Sequence, residues 1–362
     1  MDPRIEKFAD ILVNYSTKIK PGDRVGIFCR GITGEPLALS VYKKALQAGA
    51  MDVYMHVLPE EMDSILFAYA NDSQLSYFPT IEMEEMKATD VWIGIAAENN
   101  PKRLMGANPE KLAMRSKVTA PIFDHRVNKT RWVVTRYPTN GYASNAGMSL
   151  EEFEGFVFDA VNQDWSVQDR LQEKLKQYLD GVKEIKIVAD GTNVTFNKEG
   201  RPMVKCFGEK NMPDGEIFCA PIENSASGAV SFSYPVIYQG NEIDGVVVKF
   251  EEGKVVNAKA RFNEDFLLKA LKTDEGSDKA GELGIGTNYD IRRFIKNMLF
   301  DEKIGGTIHI ALGAAMAESK GTTKSGLHLD MLVDLRKYGQ IYADGALIQE
   351  NGKFVGPLEG LQ

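Results

Sequence analysis

The first third of the chain alternates strand-like and helix-like segments, and this alternation constrains the fold more than any other feature. The apolar run 24–29 predicts a buried strand, a helical pattern follows over about 35–48, and 52–57 predicts the next strand. A strand, a helix and a strand in this order form a right-handed crossover unit with parallel strands. The pattern therefore predicts an α/β N-terminal domain with a parallel sheet.

Further segments extend this pattern and then end it. An amphipathic helix is predicted over 4–19, ahead of the first strand. Strands are predicted at 90–96 and 118–123, with a helix over 109–116 between them. The apolar pattern lapses around 137–141, and two helical patterns follow, over 149–161 and 166–179. We therefore predict two domains, 1–145 and 146–362.

The second half of the chain has a different character. Short alternating runs there are separated by turn signals such as Asp190-Gly191 and Asp214-Gly215. The runs lie at 185–188, 193–196, 229–233 and 245–250. This pattern predicts an α+β C-terminal domain rich in antiparallel strands.

Charge and composition exclude several classes of partner. The chain has 43 basic and 51 acidic residues and a formal net charge of -8, which argues against binding to nucleic acid. No segment approaches about 18 uninterrupted apolar residues, so no contact with a membrane is expected. The N-terminal residues include early acids and do not resemble a secretory signal. The three cysteines are too few for a disulfide framework, and we expect reduced thiols and a cytoplasmic location.

Two glycines before the first crossover helix raise an alternative function. A non-catalytic α/β protein would bind a nucleotide or phosphosugar at residues 31–35, but the segment lacks both common phosphate-loop spacings, which favours a plain turn. His56, near the end of a predicted strand, and His125, in a predicted polar loop, are interpreted as structural or solvated.

The other two of the four histidines lie in the C-terminal third of the chain. His328 and Asp330 are two residues apart, so on a strand they point to the same face and suit a divalent metal. A structural pair is the alternative. His309 lies in an apolar run that predicts burial, where it is either a metal ligand or a core histidine bonded to a backbone carbonyl.

Three glutamates lie in apolar or glycine-rich surroundings. Glu216, Glu282 and Glu302 are either exposed surface acids or buried groups, and buried carboxylates require cations or hydrogen-bond donors. With Asp330 they make four carboxylates. Four carboxylates and two neutral imidazoles would balance the charge of two divalent ions, as a dinuclear hydrolytic site requires.

Several segments in this order resemble one family. The C-terminal segments are NMPDGEIF (211–218), GELGIGTN (281–288), FDE (300–302), HIALG (309–313) and HLD (328–330). N-terminal segments that share the resemblance are YSTKIKPGD (15–23), AEN (97–99) and MSLEE (148–152). Together they resemble the thermophilic-type aminopeptidase family of dinuclear metallopeptidases over essentially the whole chain.

This resemblance implies a ligand set and a reaction. The residues that match the family's metal ligands are Glu216, Glu282, Glu302, His309, His328 and Asp330. Two divalent ions, zinc, cobalt, manganese or magnesium, would activate a bridging water, with Glu216 or Glu282 as the proton relay. The implied function is a metal-dependent aminopeptidase that acts on peptides with a free N-terminus. The resemblance also implies a homodimer.

One position departs from the family pattern. Members have a catalytic tyrosine seven residues after the histidine of the HxAxG segment, whereas this chain has Met316 there. A thioether has no O–H to donate to a developing oxyanion. The alternative function is therefore a metal-binding member with impaired or altered peptidase activity, unless Tyr289 or Tyr342 supplies the phenol. Cys219, where the family suggests threonine, is either a core residue or a neighbour of the metals.

Overall fold

A computed structural model describes residues 2–361, so the two ends of the predicted domain ranges, Met1 and Gln362, lie outside the described residues. The helices are α1 Pro3–Asp10, α2 Glu35–Gln47, α3 Glu61–Tyr69, α4 Asp72–Ser76, α5 Thr80–Lys87, α6 Pro109–Lys129, α7 Asn140–Ala146, α8 Leu150–Val161, α9 Trp165–Leu179, α10 Glu264–Ala270 and α11 Met298–Asp301. A π-helical turn, Ile11–Ser16, continues α1. Among the described residues, no helix has both the length and the apolar character needed to cross a bilayer.

The strands cluster in two parts of the chain. They are β1 Arg24–Arg30, β2 Asp52–Leu58, β3 Val91–Ala96, β4 Arg131–Arg136, β5 Glu184–Ala189, β6 Thr192–Asn197, β7 Val204–Cys206, β8 Asn211–Met212, β9 Glu216–Cys219, β10 Ser227–Ser231, β11 Val236–Tyr238, β12 Asn241–Ile243, β13 Val247–Glu251, β14 Lys254–Lys259, β15 Ala280–Gly286, β16 Thr307–Gly313, β17 His328–Asp334, β18 Gln340–Ala343, β19 Ala346–Glu350 and β20 Lys353–Phe354.

Two compact units make up the chain. The first runs up to Gln163 and includes Gly208–Pro213, and the second comprises Asp164–Phe207 and the chain from Asp214 onward. Whether 1–145 and 146–362 fold as separate domains stays a prediction.

The first unit contains the predicted parallel sheet. Its strands pair in the order β2-β1-β3-β4-β8, and each neighbouring pair is parallel. Two glycines between β1 and α2 allow the loop to pass close to the end of β3. A Cβ atom on Gly31, whose φ is +94°, would lie 2.1 Å from the Ala97 carbonyl oxygen, and one on Gly34 would lie 2.7 Å from the Ala97 side chain. Close packing therefore accounts for both glycines.

One predicted strand is wrong. Residues 118–123 belong to α6, a continuous helix from Pro109 to Lys129 that begins with an Asn108 cap. The β-branched Val118 and Thr119 favoured a strand, but helix packing prevails over weak local propensity. His125 accordingly lies on this helix and not in a loop. The strand that follows β3 is β4, Arg131–Arg136.

The second unit confirms the predicted antiparallel character. One sheet has the order β14-β13-β10-β6-β5-β18-β19-β20, and another has the order β17-β16-β15-β9-β7. All pairs in both sheets are antiparallel. A continuous apolar core includes side chains from both sheets and from α9, among them Ile187, Phe250, Ile310 and Leu175. The β17-β16-β15-β9-β7 sheet, called here the ligand sheet, carries the candidate site.

Candidate metal centre

The period of two along the ligand sheet separates its residues between two faces. Directly paired residues share a face, and the pairs Gly313–His328, Ala311–Asp330, Glu282–Ala311, Gly284–His309 and Gly286–Glu216 put five predicted ligands on one face. The alternate residues, such as Leu283 and Ile310, belong to the apolar core on the opposite face. Cys219 pairs with Leu283 and belongs to this core, which answers the question left open for that thiol.

His309 lies at the centre of the site. The imidazole is fully buried, and its Nε2 lies 3.1 Å from Glu216 Oε2 and 3.2 Å from Glu282 Oε1. Burial opposes protonation, but the hydrogen bond to Glu282 and the charges of Glu216 and Glu282 outweigh it and raise the pKa of His309 to about 9. Burial also raises the pKa of the Glu282 carboxyl. These three side chains have ligand atoms within 4.8 Å of one another, which is close enough for all three to bind the same metal ion.

Glycines beside the ligands make room for the imidazole. Gly284 faces His309 across the β15–β16 pair, and a Cβ atom on Gly284 would lie 2.0 Å from His309 Cε1. A Cβ atom on Gly286 would lie 2.1 Å from the Ile304 carbonyl oxygen. The missing side chain of Gly284 therefore leaves the space that the His309 imidazole occupies, and that of Gly286 leaves the space of the Ile304 carbonyl.

His328 and Asp330 form the pair that their spacing predicts. His328 Nε2 lies 3.3 Å from Asp330 Oδ2, while Nδ1 lies 2.9 Å from the Ala314 carbonyl oxygen. A carbonyl oxygen only accepts, so Nδ1–H donates to it, and Nε2, beside Asp330, is the nitrogen that a metal ion would bind after it loses its proton. Burial opposes protonation of His328, but the hydrogen bond and charge of Asp330 raise its pKa to about 10. Burial would raise the pKa of Asp330, but the hydrogen bond and charge of His328 lower it.

Glu302 comes from outside the ligand sheet, at the C-terminal end of α11. Its carboxylate accepts a hydrogen bond from the Lys303 ammonium. Burial raises the pKa of Glu302 to about 7, in spite of the opposing charge of Lys303. The negative charges of Glu216 and Asp330 also raise it, which places Glu302 in the electrostatic field of the other candidate ligands.

Sequence reasoning missed Lys303, Asp214 and Cys206. The Lys303 side chain is fully buried; its Nζ lies 2.8 Å from Glu216 Oε1 and 3.9 Å from Asp214 Oδ1. Cys206 pairs with Glu216, and its thiol is within 4.8 Å of ligand atoms of Asp214 and Glu216. Burial and the two acidic neighbours raise the pKa of Cys206 well above its usual value. Asp214 stands in the quoted NMPDGEIF segment, but no local signal marks Lys303 or Cys206.

The remaining predicted residue, Met316, is half-buried just before the 3₁₀ turn Ala317–Ser319. Its carbonyl oxygen accepts hydrogen bonds from Ser319 Oγ at 2.9 Å and from the Gly321 amide at 3.1 Å. The two alternative phenols have partners of their own. Tyr289 donates to the Gly352 carbonyl oxygen at 2.9 Å, and Tyr342 donates to Gln340 Oε1 at 2.8 Å.

The polar atoms of the site fit a divalent cation. Glu216 Oε2, His309 Nδ1 and Asp330 Oδ1 are buried and have no hydrogen-bond partner among the described residues. Buried polar atoms without partners are costly, and a cation would satisfy the carboxylate oxygens. Mixed carboxylate and imidazole ligands suit zinc, cobalt and manganese.

The fold and this site define a protein with a buried carboxylate–imidazole centre on an antiparallel sheet, of the kind that metal-dependent hydrolases use. The profile of the thermophilic metalloprotease (M29) family matches residues 1–354. The chain belongs to this metalloprotease family.

Curated relatives match along most of the chain. Aminopeptidase 2 of Geobacillus stearothermophilus is 23% identical and the match covers 92% of each chain. Aminopeptidase AmpS of Bacillus subtilis is 26% identical over 87% of this chain and 85% of its own. Aminopeptidase T of Thermus thermophilus is 24% identical over 94% of this chain and 95% of its own.

Solved structures share the fold. Wild-type AmpT from Thermus thermophilus superposes with a TM-score of 0.87 at 23% identity, covering 98% of this chain and 99% of its own. A 2,5-dihydroxypyridine dioxygenase from Pseudomonas putida superposes with a TM-score of 0.62 at 14% identity, covering 99% of this chain and 98% of its own. The same fold thus occurs in proteins named for different reactions, so function must be argued from the site.

Proposed function

We propose that this chain is a metal-dependent aminopeptidase that hydrolyses N-terminal residues from peptides. The observation that carries the proposal is the convergence of Glu216, Glu282 and His309 in one buried cluster within a metalloprotease-family chain. The relatives named as aminopeptidases support the choice of substrate class.

The six predicted ligands would hold the metal. They are Glu216, Glu282, Glu302, His309, His328 and Asp330, and we propose two cation positions among them, one beside His309 and one beside Glu302. We propose zinc, cobalt, manganese or magnesium as the divalent metal. A bound divalent ion supplies Lewis acidity and lowers the pKa of a coordinated water.

A carboxylate of the cluster would carry the proton to the leaving amine. The two candidates are Glu216 and Glu282. Glu216 Oε1 is already held by the Lys303 ammonium at 2.8 Å, whereas Glu282 meets no lysine in the described structure. We therefore propose Glu282 as the proton relay.

Residue 316 is a methionine and has no phenol, and we expect this to affect the rate of peptide hydrolysis but not the binding of metal. None of the six candidate ligands is residue 316, and a thioether cannot donate to a developing oxyanion. We propose that metal binding is retained and that turnover is slow for want of this donor. An altered or lost peptidase activity is the alternative that the assay below would reveal.

Location and assembly are also part of the proposal. We propose a cytoplasmic location, in which Cys29, Cys206 and Cys219 would stay reduced. We propose a homodimer on the basis of the family resemblance. Light scattering on the purified protein at micromolar concentration would give its mass directly.

The test of the activity uses the metal-stripped protein reloaded in turn with zinc, cobalt, manganese and magnesium. We expect release of a chromophore from aminoacyl p-nitroanilides and no release from the same compounds with an acetylated amino group. Asp330→Asn is expected to abolish this release. A protein that binds metal but cleaves no aminoacyl amide or dipeptide with any of the four ions would overturn the proposal.

A further inference from the structure

The side chain of Lys303 lies among three acidic residues of the site, Asp214, Glu216 and Glu302. Lys303 follows Glu302 at the end of α11, and its backbone is fixed by hydrogen bonds from its amide to Phe300 and from the Asn288 amide to its carbonyl. The side chain is fully buried. A buried ammonium requires negative partners, and Lys303 reaches three carboxylates.

Three carboxylates lie within ion-pair distance of the Lys303 ammonium. Glu216 Oε1 lies 2.8 Å from Lys303 Nζ and Asp214 Oδ1 lies 3.9 Å from it, and the Glu302 carboxylate accepts a hydrogen bond from the same group. Two of the three, Glu216 and Glu302, belong to the predicted ligand set. The Lys303 ammonium therefore lies beside Glu302, where the second of the two proposed cation positions would be.

The two oxygens of Glu216 face the two positions separately. Oε1 contacts Lys303, while Oε2 lies 3.1 Å from His309 Nε2 and accepts no hydrogen bond from the described residues. Two metal ions of a dinuclear site lie about 3.5–4 Å apart and share ligands. A second ion, about 3.5–4 Å from the one proposed beside His309, would need the oxygens of Glu216 and Glu302 that the Lys303 ammonium contacts. The positive charges of this ion and of the ammonium would also repel each other.

We propose that Lys303 is a built-in cation that replaces one metal ion, so that each chain retains a single divalent ion, beside His309 and Glu282. The inference rests on the proposed metal centre, but it departs from the two ions that the family resemblance implies. It assigns Lys303 a positioning role: it holds Glu216 and Glu302 in place without a second ion.

Metal counting tests this inference. Protein stripped with a chelator is reloaded with excess Mn²⁺ or Zn²⁺, desalted and measured by mass spectrometry of the metal. We expect one ion per wild-type chain and two per chain for Lys303→Met, whose side chain is unbranched, one atom shorter and without charge. Lys198→Met is the matched control, because Lys198 is equally buried but donates to the Leu179 and Val182 carbonyl oxygens; it should stay at one.

A Co²⁺ titration of the wild-type chain gives an answer that needs no variant. We expect the visible absorbance of bound cobalt to saturate with a break at one equivalent. A break at two equivalents, or one ion in a folded Lys303→Met, would overturn the role of Lys303. Failure to bind any ion would overturn it together with the metal centre. One ion without cleavage of aminoacyl amides would instead reject the peptidase proposal and leave this inference intact.

Discussion

The imidazole of His309 lies against Gly284, in a space that no side chain on residue 284 can share. A Cβ atom at Gly284 would come within 2.0 Å of His309 Cε1. Because Nε2 of the same ring contacts Glu216 and Glu282, a shift of the ring would move the centre of the proposed metal site.

Gly284→Ala is therefore expected to weaken metal binding. The added methyl group displaces the imidazole, and we expect a 10- to 100-fold loss of metal affinity with a stability cost of about 1–3 kcal/mol. Isothermal titration with Zn²⁺ measures the affinity, and urea unfolding measures the stability. Gly181→Ala is the control, because a Cβ atom there meets no atom closer than 3.7 Å. Unchanged affinity in Gly284→Ala would show that the ring position does not matter.

Removal of a candidate ligand should separate His328 from His125 in their effect on metal binding. His328 donates Nδ1–H to Ala314 and turns Nε2 toward Asp330, so His328→Ala is expected to lower metal affinity by about 100-fold or more. His125→Ala, on helix α6 of the first unit, should leave affinity unchanged. Competition with a metal-binding dye measures both. Equal affinities in the two variants would remove His328 from the ligand set.

A phenol restored at residue 316 should speed the reaction. Met316→Tyr supplies an O–H donor, and loss of one such donor in other hydrolases costs about 10²- to 10³-fold in kcat. We expect a gain of that order in kcat for an aminoacyl p-nitroanilide, with metal content unchanged. Met316→Phe provides the same ring without the hydroxyl. If tyrosine and phenylalanine give the same rate, another group already serves as the donor.

The Arg24–Asp90 pair should make stability depend on pH at the acidic end. A hydrogen bond from Arg24 lowers the pKa of Asp90 from 3.8 to about 2. A lowered pKa means that the folded state prefers the charged carboxylate, so the contribution is present above pH 4 and is lost as the pH falls toward 2. Both side chains are more than a third exposed, so we expect at most about 1 kcal/mol.

Urea unfolding at pH 6, 4 and 3 would measure this effect. Asp90→Asn should lose less stability between pH 6 and pH 3 than the wild-type chain does. At neutral pH, Arg24→Gln and Asp90→Asn should lower the stability by similar amounts, because each removes the same ion pair. The double variant should be no less stable than either single variant. An identical pH dependence in wild type and Asp90→Asn would contradict the prediction.

Much of the fold was readable from the periodicity of the sequence. The apolar runs at 24–29 and 52–57 became β1 and β2, and the short alternating runs of the second half became antiparallel strands. The strand predicted at 118–123 is wrong, because β-branched residues within a long helix resemble a strand when only local propensity is considered. Packing against the parallel sheet is not visible in that window.

The sequence predicted which candidate ligands share a face where these residues alternate along a strand. His328 and Asp330 share a face because they are two apart, and the glycines of 281–286 signal close approach to that face. Lys303 could not be predicted in the same way. It follows two acids in an ordinary charged triplet, and only the folded chain shows that its side chain turns inward among the carboxylates.

Five of the six candidate ligands come from β9, β15, β16 and β17, and β17, β16, β15 and β9 are consecutive neighbours in one hydrogen-bonded ladder. An ion bound on that face would link these strands through their side chains, in addition to the backbone hydrogen bonds between them. The amide hydrogens of all four strands would then exchange with deuterated solvent as a single slow group. Removal of the ion would release them together, while amides of β14, at the edge of the other sheet, would keep their rate.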